Sequence, residues 1–200
     1  QVIVNHNHGP ALVFAVAGAG KTTTMVHRIE RLVREKVFLP RQILATSFNR
    51  AAAGEIRAKL RQWRYCEPVK ATTLHALGYS IIRRAVQQRY LAPVRVLDKA
   101  ENLLYETLRE ARLQECWFKE ELQQLDKDDF LNYVGMCKGN LHYANLKQAR
   151  LPASGVQLAR QAKAPNRSLR WYVDLYELFE ELRVRKQWIT FDDMLLTGWE

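Results

Sequence analysis

Apolar residues in the first part of the chain follow two kinds of pattern. Residues 11–17 form a continuous apolar run that stops at Gly18, which is typical of a strand buried on both faces of a parallel sheet. Over residues 22–36 the apolar positions recur at helical spacing, with charges between them. They are Met25, Val26, Ile29, Leu32 and Val33. The pattern predicts a strand that is followed at once by a helix.

The same alternation occurs twice more before residue 90. Residues 43–48 and 69–74 are apolar runs, and helical spacing follows each of them, over 50–63 and 75–90. Strands and helices that alternate with short connections are typical of an open parallel sheet whose crossover helices cover its faces. We therefore expect an α/β fold in this part of the chain.

Beyond Pro93 the periodicity is helical, and no strand-like run of comparable strength interrupts it. Four helices are predicted, over 98–115, 120–138, 145–163 and 168–186. The last carries a clear apolar stripe that includes Leu175, Phe179 and Leu182, so we expect its aromatic residues in a core and not at a ligand. The pattern predicts a separate helical domain.

Composition adds a strong positive charge to this picture. The 200 residues are 48% hydrophobic, and 31 Lys and Arg against 21 Asp and Glu give a formal net charge of +10. Such an excess favours a polyanionic partner, although it does not choose between DNA, RNA and acidic lipid. An ordinary solvated helix face explains any single basic run equally well.

Several classes of protein are disfavoured. No apolar run approaches the roughly 20 residues that cross a bilayer, so no membrane partner is expected. The isolated cysteines Cys66, Cys116 and Cys137 form no CxxC pair, which argues against a zinc site and a disulfide framework. Scattered thiols suggest a reducing compartment, and we expect a cytoplasmic protein.

A glycine-rich segment, AVAGAGKT over residues 15–22, lies between the first predicted strand and the first predicted helix. Its glycines let backbone N–H groups turn inward, and the helix start adds the positive end of its dipole, so a triphosphate finds donors there. Lys21 would reach the β- and γ-phosphates, and the Thr22 hydroxyl would hold Mg²⁺, so these two are the candidate catalytic residues. The predicted nucleotide-binding set is Ala17, Gly18, Ala19, Gly20, Lys21, Thr22 and Thr23. The alternative is a glycine-rich turn that binds nothing.

Polar residues follow the second and third predicted strands. Ligands of open parallel sheets gather beyond the carboxyl ends of the strands, so these ends should share one edge with the glycine-rich loop. The hydroxyl, amide, cationic and aromatic groups of residues 46–50 suit a sugar–phosphate backbone with stacked bases. At the third strand, Thr73 and His75 stand where hydroxyls and helix-start N–H groups can bind phosphate. Capping or core packing explains His75 equally well, and Phe48 could face the core.

Four segments occur in an order that resembles the UvrD/Rep family of superfamily 1 helicases. They are AVAGAGKT, then ATSFNRAAAGEIRAKL from Ala45, TTLHALG from Thr72 and ITFDDML from Ile189. The first motif of that family is AxxGxGKT, which agrees with Ala15. The resemblance implies an α/β fold, a partial RecA-like P-loop parallel sheet with an inserted all-helical subdomain. The implied domains are 1–90 and 91–187, with a truncated return to the RecA-like domain over 188–200.

The resemblance also implies roles for individual residues. It implies ATP and Mg²⁺ as cofactors and single-stranded DNA as a partner. It assigns DNA contacts to Thr46, Phe48, Asn49, Arg50, Thr73 and His75, while Ser47 and Leu74 replace aromatic residues that are frequent in the family. An ungapped match puts the family's adenine-reading Gln one position before Gln1. For Asp192 and Asp193 it favours helix capping over metal binding, because the acidic motif of the family comes later.

We therefore predict the N-terminal, ATP-binding portion of an ATP-dependent DNA helicase or translocase on single-stranded DNA, with 3′–5′ polarity implied by the resemblance. The acidic motif and the second motor domain of the family would follow Glu200, so we expect this chain alone not to turn over ATP. Two alternatives remain open at the level of sequence. One is a P-loop phosphotransferase with a small acceptor, and the other is a non-enzymatic nucleic-acid-binding module.

Overall fold

The structure is a computed structural model that describes residues 2–16, 18–113, 118–149 and 151–200. The chain forms two compact units, Gln1–Leu77 and Gly78–Glu200, and the boundary between them falls inside a helix. The elements of the first unit are α1 (Val2–Asn5), α2 (Lys21–Arg34), β1 (Leu44–Ser47), α3 (Arg50–Leu60), β2 (Lys70–Thr73) and the start of α4 (Leu74–Gln87). The second and third predicted strands and the three predicted helices of this region are thereby confirmed.

The sheet of the first unit consists of β1 and β2, which pair in parallel from Leu44 opposite Lys70 to Ser47 opposite Thr73. Ala45 and Ala71 face the core, where they pack against Val26, Ile29 and Val33 of α2 and against Ile56 and Leu60 of α3. A parallel strand order with covering helices is the arrangement that the alternating pattern predicts. The fold is therefore mixed α/β with a short parallel sheet.

The first predicted strand is wrong. Residues 11–16 have no regular secondary structure, and Leu12 and Phe14 are 81% and 88% exposed. A strand needs a neighbour for its N–H and C=O groups, and among the described residues β1 and β2 pair only with each other. An apolar run alone does not supply that partner. Ala17, at the end of this run, lies outside the described residues.

The second unit is mainly helical. After the remainder of α4 it contains β3 (Arg95–Val96), α5 (Ala100–Leu113), α6 (Lys127–Gly139), α7 (Ala153–Gln161), α8 (Tyr172–Arg185), β4 (Trp188–Ile189) and α9 (Phe191–Trp199). Its core is formed mostly by α5, α6 and α8, where the Phe130 ring meets Tyr172 edge to face at 5.2 Å. The predicted apolar stripe of α8 is buried, including Leu175, Phe179 and Leu182.

Two of the predicted helices are shorter than their patterns suggest. The pattern over 120–138 contains a 3-10 turn, Glu121–Gln124, before α6 begins, because the Asp126 side chain accepts hydrogen bonds from the N–H groups of Asp128 and Asp129 and starts a new helix. The pattern over 145–163 gives a 3-10 turn, Leu146–Gln148, and then α7 after Pro152. The cap at Asp126 and the proline before α7, which periodicity does not show, set these two helix starts.

A second parallel pair was not predicted. Arg95 and Val96 of β3 lie opposite Trp188 and Ile189 of β4. Strands of two residues are too short to show a period, so the pattern beyond Pro93 gave no sign of them. No helix among the described residues has the length and apolar character that a membrane span requires.

Candidate nucleotide and nucleic-acid sites

The glycine-rich loop turns through two left-handed residues. Gly18 and Gly20 have φ angles of 77° and 74°, a region that favours glycine. Gly20 is the N-cap of α2 and has no side chain that could accept hydrogen bonds from the N–H groups of the first turn. The first turn of α2 therefore offers backbone donors to an anion, with the helix dipole in the same direction.

Lys21 begins α2 and folds back over the loop. Its Nζ donates to the carbonyl oxygens of Ala15 and Val16, at 2.9 Å and 2.7 Å. Both acceptors are neutral, so these contacts do not cancel the charge of the ammonium group. The side chain is exposed, and a lysine stem has the freedom to leave such acceptors for a phosphate.

Thr22 supplies a hydroxyl oxygen next to Lys21, and oxygen is the ligand type that Mg²⁺ prefers. Within the described ranges, no three His, Cys, Asp or Glu residues come together in a group that could hold a metal ion. A Mg²⁺ ion at Thr22 would therefore take most of its ligands from phosphate and water, which is its usual behaviour in nucleotide sites. Thr22 fits that role as a single protein ligand.

The start of α2 lies beside the far end of α3. Lys59 Nζ donates to the Thr23 hydroxyl oxygen at 3.5 Å and also pairs with Glu55 at 2.7 Å. Lys59 is about 15 Å of helix rise from Asn49 at the other end of α3. The side chain of Thr23 at the start of α2 is therefore in contact with the end of α3 that is remote from the polar strand ends. A common edge for the glycine-rich loop and the strand ends stays a prediction.

The polar ends of β1 and β2 do lie side by side, because Ser47 is opposite Thr73 in the register. The residues that follow β1 are exposed, and Phe48 has 90% of its surface open to solvent. Phe48 therefore does not belong to the core, which was the other interpretation of its position. An exposed aromatic ring beside the exposed Arg50 is the combination that binds stacked bases and phosphate.

Two of the candidate side chains have local structural roles at this edge. The Asn49 side-chain oxygen accepts a hydrogen bond from Ala52 N at 2.8 Å and caps α3. Thr73 is buried, and its hydroxyl oxygen accepts from Ala76 N at 3.2 Å in the first turn of α4. His75 is half-buried in the same turn. The Asn49 amide nitrogen is a donor that capping does not use.

Positive charge is concentrated in the first unit. Residues 1–77 contain twelve basic residues (Lys and Arg) and four acidic residues (Asp and Glu). Residues 78–200 contain nineteen basic and seventeen acidic residues. Within the second unit, residues 130–173 contain no acidic residue. The basic residues of that stretch are Lys138, Lys147, Arg150, Arg160, Lys163, Arg167 and Arg170. A local count of charges would have found both features, which the net charge of the whole chain conceals.

A buried ionic cluster in the second unit was missed by the sequence patterns. Lys138 Nζ lies 2.6 Å from Asp193 Oδ1 and 2.8 Å from Glu180 Oε1, and Arg183 pairs with Glu180 at 2.8 Å. The side chains of Lys138 and Asp193 are 1% exposed. Burial opposes ionisation of Asp193, but Lys138 and Arg183 outweigh it and hold the pKa of this carboxyl group below its usual range.

Asp193 also caps α9, as expected for the ITFDDML segment. Its Oδ2 accepts from Thr190 N and from the Thr190 hydroxyl, both at 2.8 Å. Asp192, the neighbouring acid, is exposed. The two carboxylates thus have different surroundings, and the expected capping role is confirmed for Asp193.

The described cysteines are structural. Cys66 and Cys137 are buried free thiols, and burial raises the pKa of each, for Cys137 to about 11. A thiol that stays protonated is a poor nucleophile and a poor metal ligand. Cys116 and Gln1, the residue next to the predicted adenine-reading position, lie outside the described residues.

Comparison with known proteins agrees with the family resemblance of the sequence motifs. The family model for the UvrD/REP helicase N-terminal domain matches residues 1–200. The ATP-dependent DNA helicase PcrA of Leuconostoc citreum is 28% identical over 201 aligned positions, which cover 96% of this chain and 24% of that protein. DNA helicase IV of Escherichia coli K12 is 35% identical over 102 positions, 51% of this chain and 14% of that protein.

The ATP-dependent DNA helicase UvrD2 of Mycobacterium tuberculosis H37Rv is 40% identical over 82 positions, 38% of this chain and 12% of that protein. The chain thus spans a quarter or less of the length of these relatives. The family model, by contrast, covers the whole chain. From its motifs, its loop geometry and this match, the chain belongs to the UvrD/REP helicase N-terminal domain family.

Proposed function

We propose that this chain is the ATP-binding part of an ATP-dependent DNA helicase or translocase that moves on single-stranded DNA. The observation that carries the proposal is Lys21, an unneutralised cation at the start of α2 behind two left-handed glycines. Membership of the helicase family supports ATP as the nucleotide and DNA as the substrate. The 3′–5′ polarity rests on the motif resemblance alone.

In the proposed nucleotide site, backbone N–H groups of residues 17–20 and the first turn of α2 bind the phosphates. Lys21 exchanges its two carbonyl acceptors for β- and γ-phosphate oxygens and stabilises the charge of the transferred group. Thr22 would hold Mg²⁺ through its hydroxyl, and Thr23 gives a further hydroxyl at the same turn. When bound, the ion would supply neutralisation of the phosphate charge.

In the proposed DNA site, the edge formed by the ends of β1 and β2 contacts the strand. Phe48 stacks on a base, and Arg50 and the exposed Thr46 contact the sugar–phosphate backbone. Asn49 donates its free amide hydrogens while its oxygen caps α3. Thr73 and His75 approach from the first turn of α4. A phosphotransferase with a small acceptor does not require an exposed aromatic and cationic edge such as the ends of β1 and β2.

We also propose the domain organisation 1–90, 91–187 and 188–200, with the helical part inserted into a RecA-like domain. The pairing of Val96 with Ile189 supports it, because residues at the two ends of the helical stretch lie on neighbouring strands. An inserted domain requires its entry and exit to be close together.

The decisive test of the nucleotide site is the binding of a fluorescent ATP analogue with Mg²⁺ to the protein and to its Lys21→Ala variant. We expect the dissociation constant to rise at least tenfold, about 1.4 kcal/mol. Lys70→Ala, which removes an exposed lysine of the same unit, is the control and should bind like the parent. Equal affinities of the parent and Lys21→Ala would reject the site and leave the non-enzymatic module.

A further inference from the structure

A second lysine lies beside the first turn of α2. Lys59, in the last turn of α3, donates through its Nζ atom to the hydroxyl oxygen of Thr23 at 3.5 Å. Thr23 is exposed and is the third residue of α2, two positions after Lys21. Both helices belong to the first unit, so the contact lies within a single compact part of the chain. The proposed nucleotide site therefore has a second cation next to it.

The backbone of this turn connects Thr23 to anion binding. A hydrogen bond from Thr24 N to the carbonyl oxygen of Gly20, at 2.8 Å, closes the first turn of α2. The N–H groups of residues 21–23 precede this bond, and such groups are the donors that a helix start offers to an anion. An anion held by the Thr23 N–H group also lies beside the Thr23 hydroxyl, because both groups belong to one residue. Lys59 is thus within reach of the same anion.

Lys59 has a weak partner that a phosphate can replace. Its Nζ atom lies 2.7 Å from Glu55 Oε1, one helix turn earlier, and the Lys59 and Glu55 side chains are 35% and 54% exposed. Ion pairs between exposed side chains contribute little, because water and salt screen them. Hydrogen bonds from an ammonium group to phosphate are charge-assisted and stronger. The flexible lysine stem lets Lys59 rotate from Glu55 to a phosphate oxygen.

Two other cations of α2 have contacts in a different part of the unit. Arg28 Nε donates to the carbonyl oxygen of His6 at 3.1 Å, and Arg31 Nε donates to the carbonyl oxygen of Val4 at 2.6 Å. These two arginines therefore hold the N-terminal segment. Lys59, by contrast, contacts the phosphate-binding turn itself, although it belongs to another helix.

We propose that Lys59 is a second phosphate-binding residue of the nucleotide site, and that it exchanges Glu55 for the polyphosphate when nucleotide binds. The inference rests on the proposed function and deepens it, because it adds a residue outside the glycine-rich motif. Lys59 lies in the segment from Ala45 that resembles the helicase family, but the resemblance assigns DNA contacts to the beginning of that segment and no role to Lys59. Removal of this cation should weaken every ligand that carries the polyphosphate.

The test measures equilibrium binding of a fluorescent ATP analogue with Mg²⁺, and inorganic tripolyphosphate serves as a competitor. We expect Lys59→Ala to weaken both ligands at least threefold, and Lys59→Arg, which keeps the charge, to weaken them less than twofold. Arg61→Ala is the matched control, because it removes an exposed cation just after the same helix and should leave both affinities at the parent level.

The outcomes separate this inference from the proposed function. If Lys21→Ala loses affinity and Lys59→Ala does not, the role of Lys59 is wrong and the nucleotide site stands. If Lys59→Ala weakens the ATP analogue but not tripolyphosphate, Lys59 does not bind the phosphates and its proposed role is also wrong. If the parent itself binds neither ligand, the proposed nucleotide site fails, and the role of Lys59 fails with it.

A double-mutant cycle with Glu55 tests the exchange. Glu55→Gln removes the competing carboxylate, so it should tighten binding of the ATP analogue at least twofold in the parent. The gain should be smaller in the Lys59→Ala background, because no ammonium group is released there. Equal gains in the two backgrounds would show that Glu55 acts on the ligand by its own charge, and the exchange would be wrong. A loss of affinity in Glu55→Gln would contradict the exchange as well, since it would make the pair with Lys59 a structural support.

Discussion

Phe48 is the residue whose surroundings say most about what the first unit binds. It extends from the end of β1 with nearly all of its ring in water, where an apolar side chain of this size gains nothing for folding. A nucleic-acid base offers the ring a flat apolar partner, and such stacking is worth about 1–3 kcal/mol per base. The exposed ring is therefore expected to contribute to binding and not to stability.

Replacement of Phe48 by Ala should weaken single-stranded DNA binding about tenfold, in line with one lost stack. The free energy of unfolding should stay nearly constant, because no core contact is removed. Phe14→Ala removes an equally exposed ring outside the polar edge and is the control. Fluorescence anisotropy and chemical denaturation measure the two quantities, and loss of affinity in both variants would contradict a specific stack at Phe48.

At the scale of single residues, the sequence predicted which residues form the candidate sites better than it predicted the environment of each side chain. The spacing of Gly18, Gly20 and Lys21 was sufficient to predict a tight turn, and the structure has both glycines in the left-handed region. The direction of Phe48 could not be decided, because it lies just past a strand whose register was unknown. The burial of Lys138 could not be predicted, since its partner Asp193 is 55 positions away in the chain.

Among the elements, α9 has a buried charge at its start, the Asp193 carboxylate. Asp193→Asn keeps the size of the side chain but removes the charge that Lys138 and Arg183 face in the core. Breaking one side of a buried pair typically costs about 3–5 kcal/mol, and Glu180 remains to compensate Lys138 in part. We expect a loss of about 3 kcal/mol in the free energy of unfolding. Asp192→Asn, at the exposed neighbouring position, should change it by less than about 0.5 kcal/mol.

The same pair has a definite pH dependence. The pKa of Asp193 is lower in the folded protein than its ordinary value of 3.8, so its contribution to stability is present above that value and is lost as the pH falls through the folded pKa. The stability difference between the parent and Asp193→Asn should therefore be constant near neutral pH and shrink below pH 3.8. Denaturation curves over this range measure it, and a difference that grows in acid would contradict the pairing.

Helices with strong apolar periodicity were predictable from the sequence. Strands, which form only where another strand pairs with them, were less predictable. Helices α2 and α5 follow from apolar spacing alone. Residues 11–17 have the composition of a strand, but residues 11–16 have no pairing neighbour in the described structure. In contrast, β3 and β4 pair as strands although their composition does not mark them as strands. Strand formation depends on distant segments, and a local pattern carries no information about them.

For the molecule as a whole, the uneven charge predicts how DNA binding responds to salt. The first unit has three times as many basic as acidic residues and carries the proposed DNA edge. Each neutralised phosphate of a single strand contributes about −0.7 to the slope of log affinity against log salt. Arg50→Ala should therefore reduce the slope by about 0.7, whereas Phe48→Ala should lower affinity and leave the slope unchanged. Equal slopes for Arg50→Ala and the parent would exclude a phosphate contact at Arg50.

The β3 and β4 pair has a consequence for the order in which the chain folds. Arg95 and Trp188 are about ninety positions apart, and closing so long a loop is entropically costly before other contacts exist. During synthesis, the sheet of the first unit has all its residues once position 73 has emerged, whereas the β3 and β4 pair needs position 189. The first unit can therefore acquire its nucleotide loop before the second unit is complete.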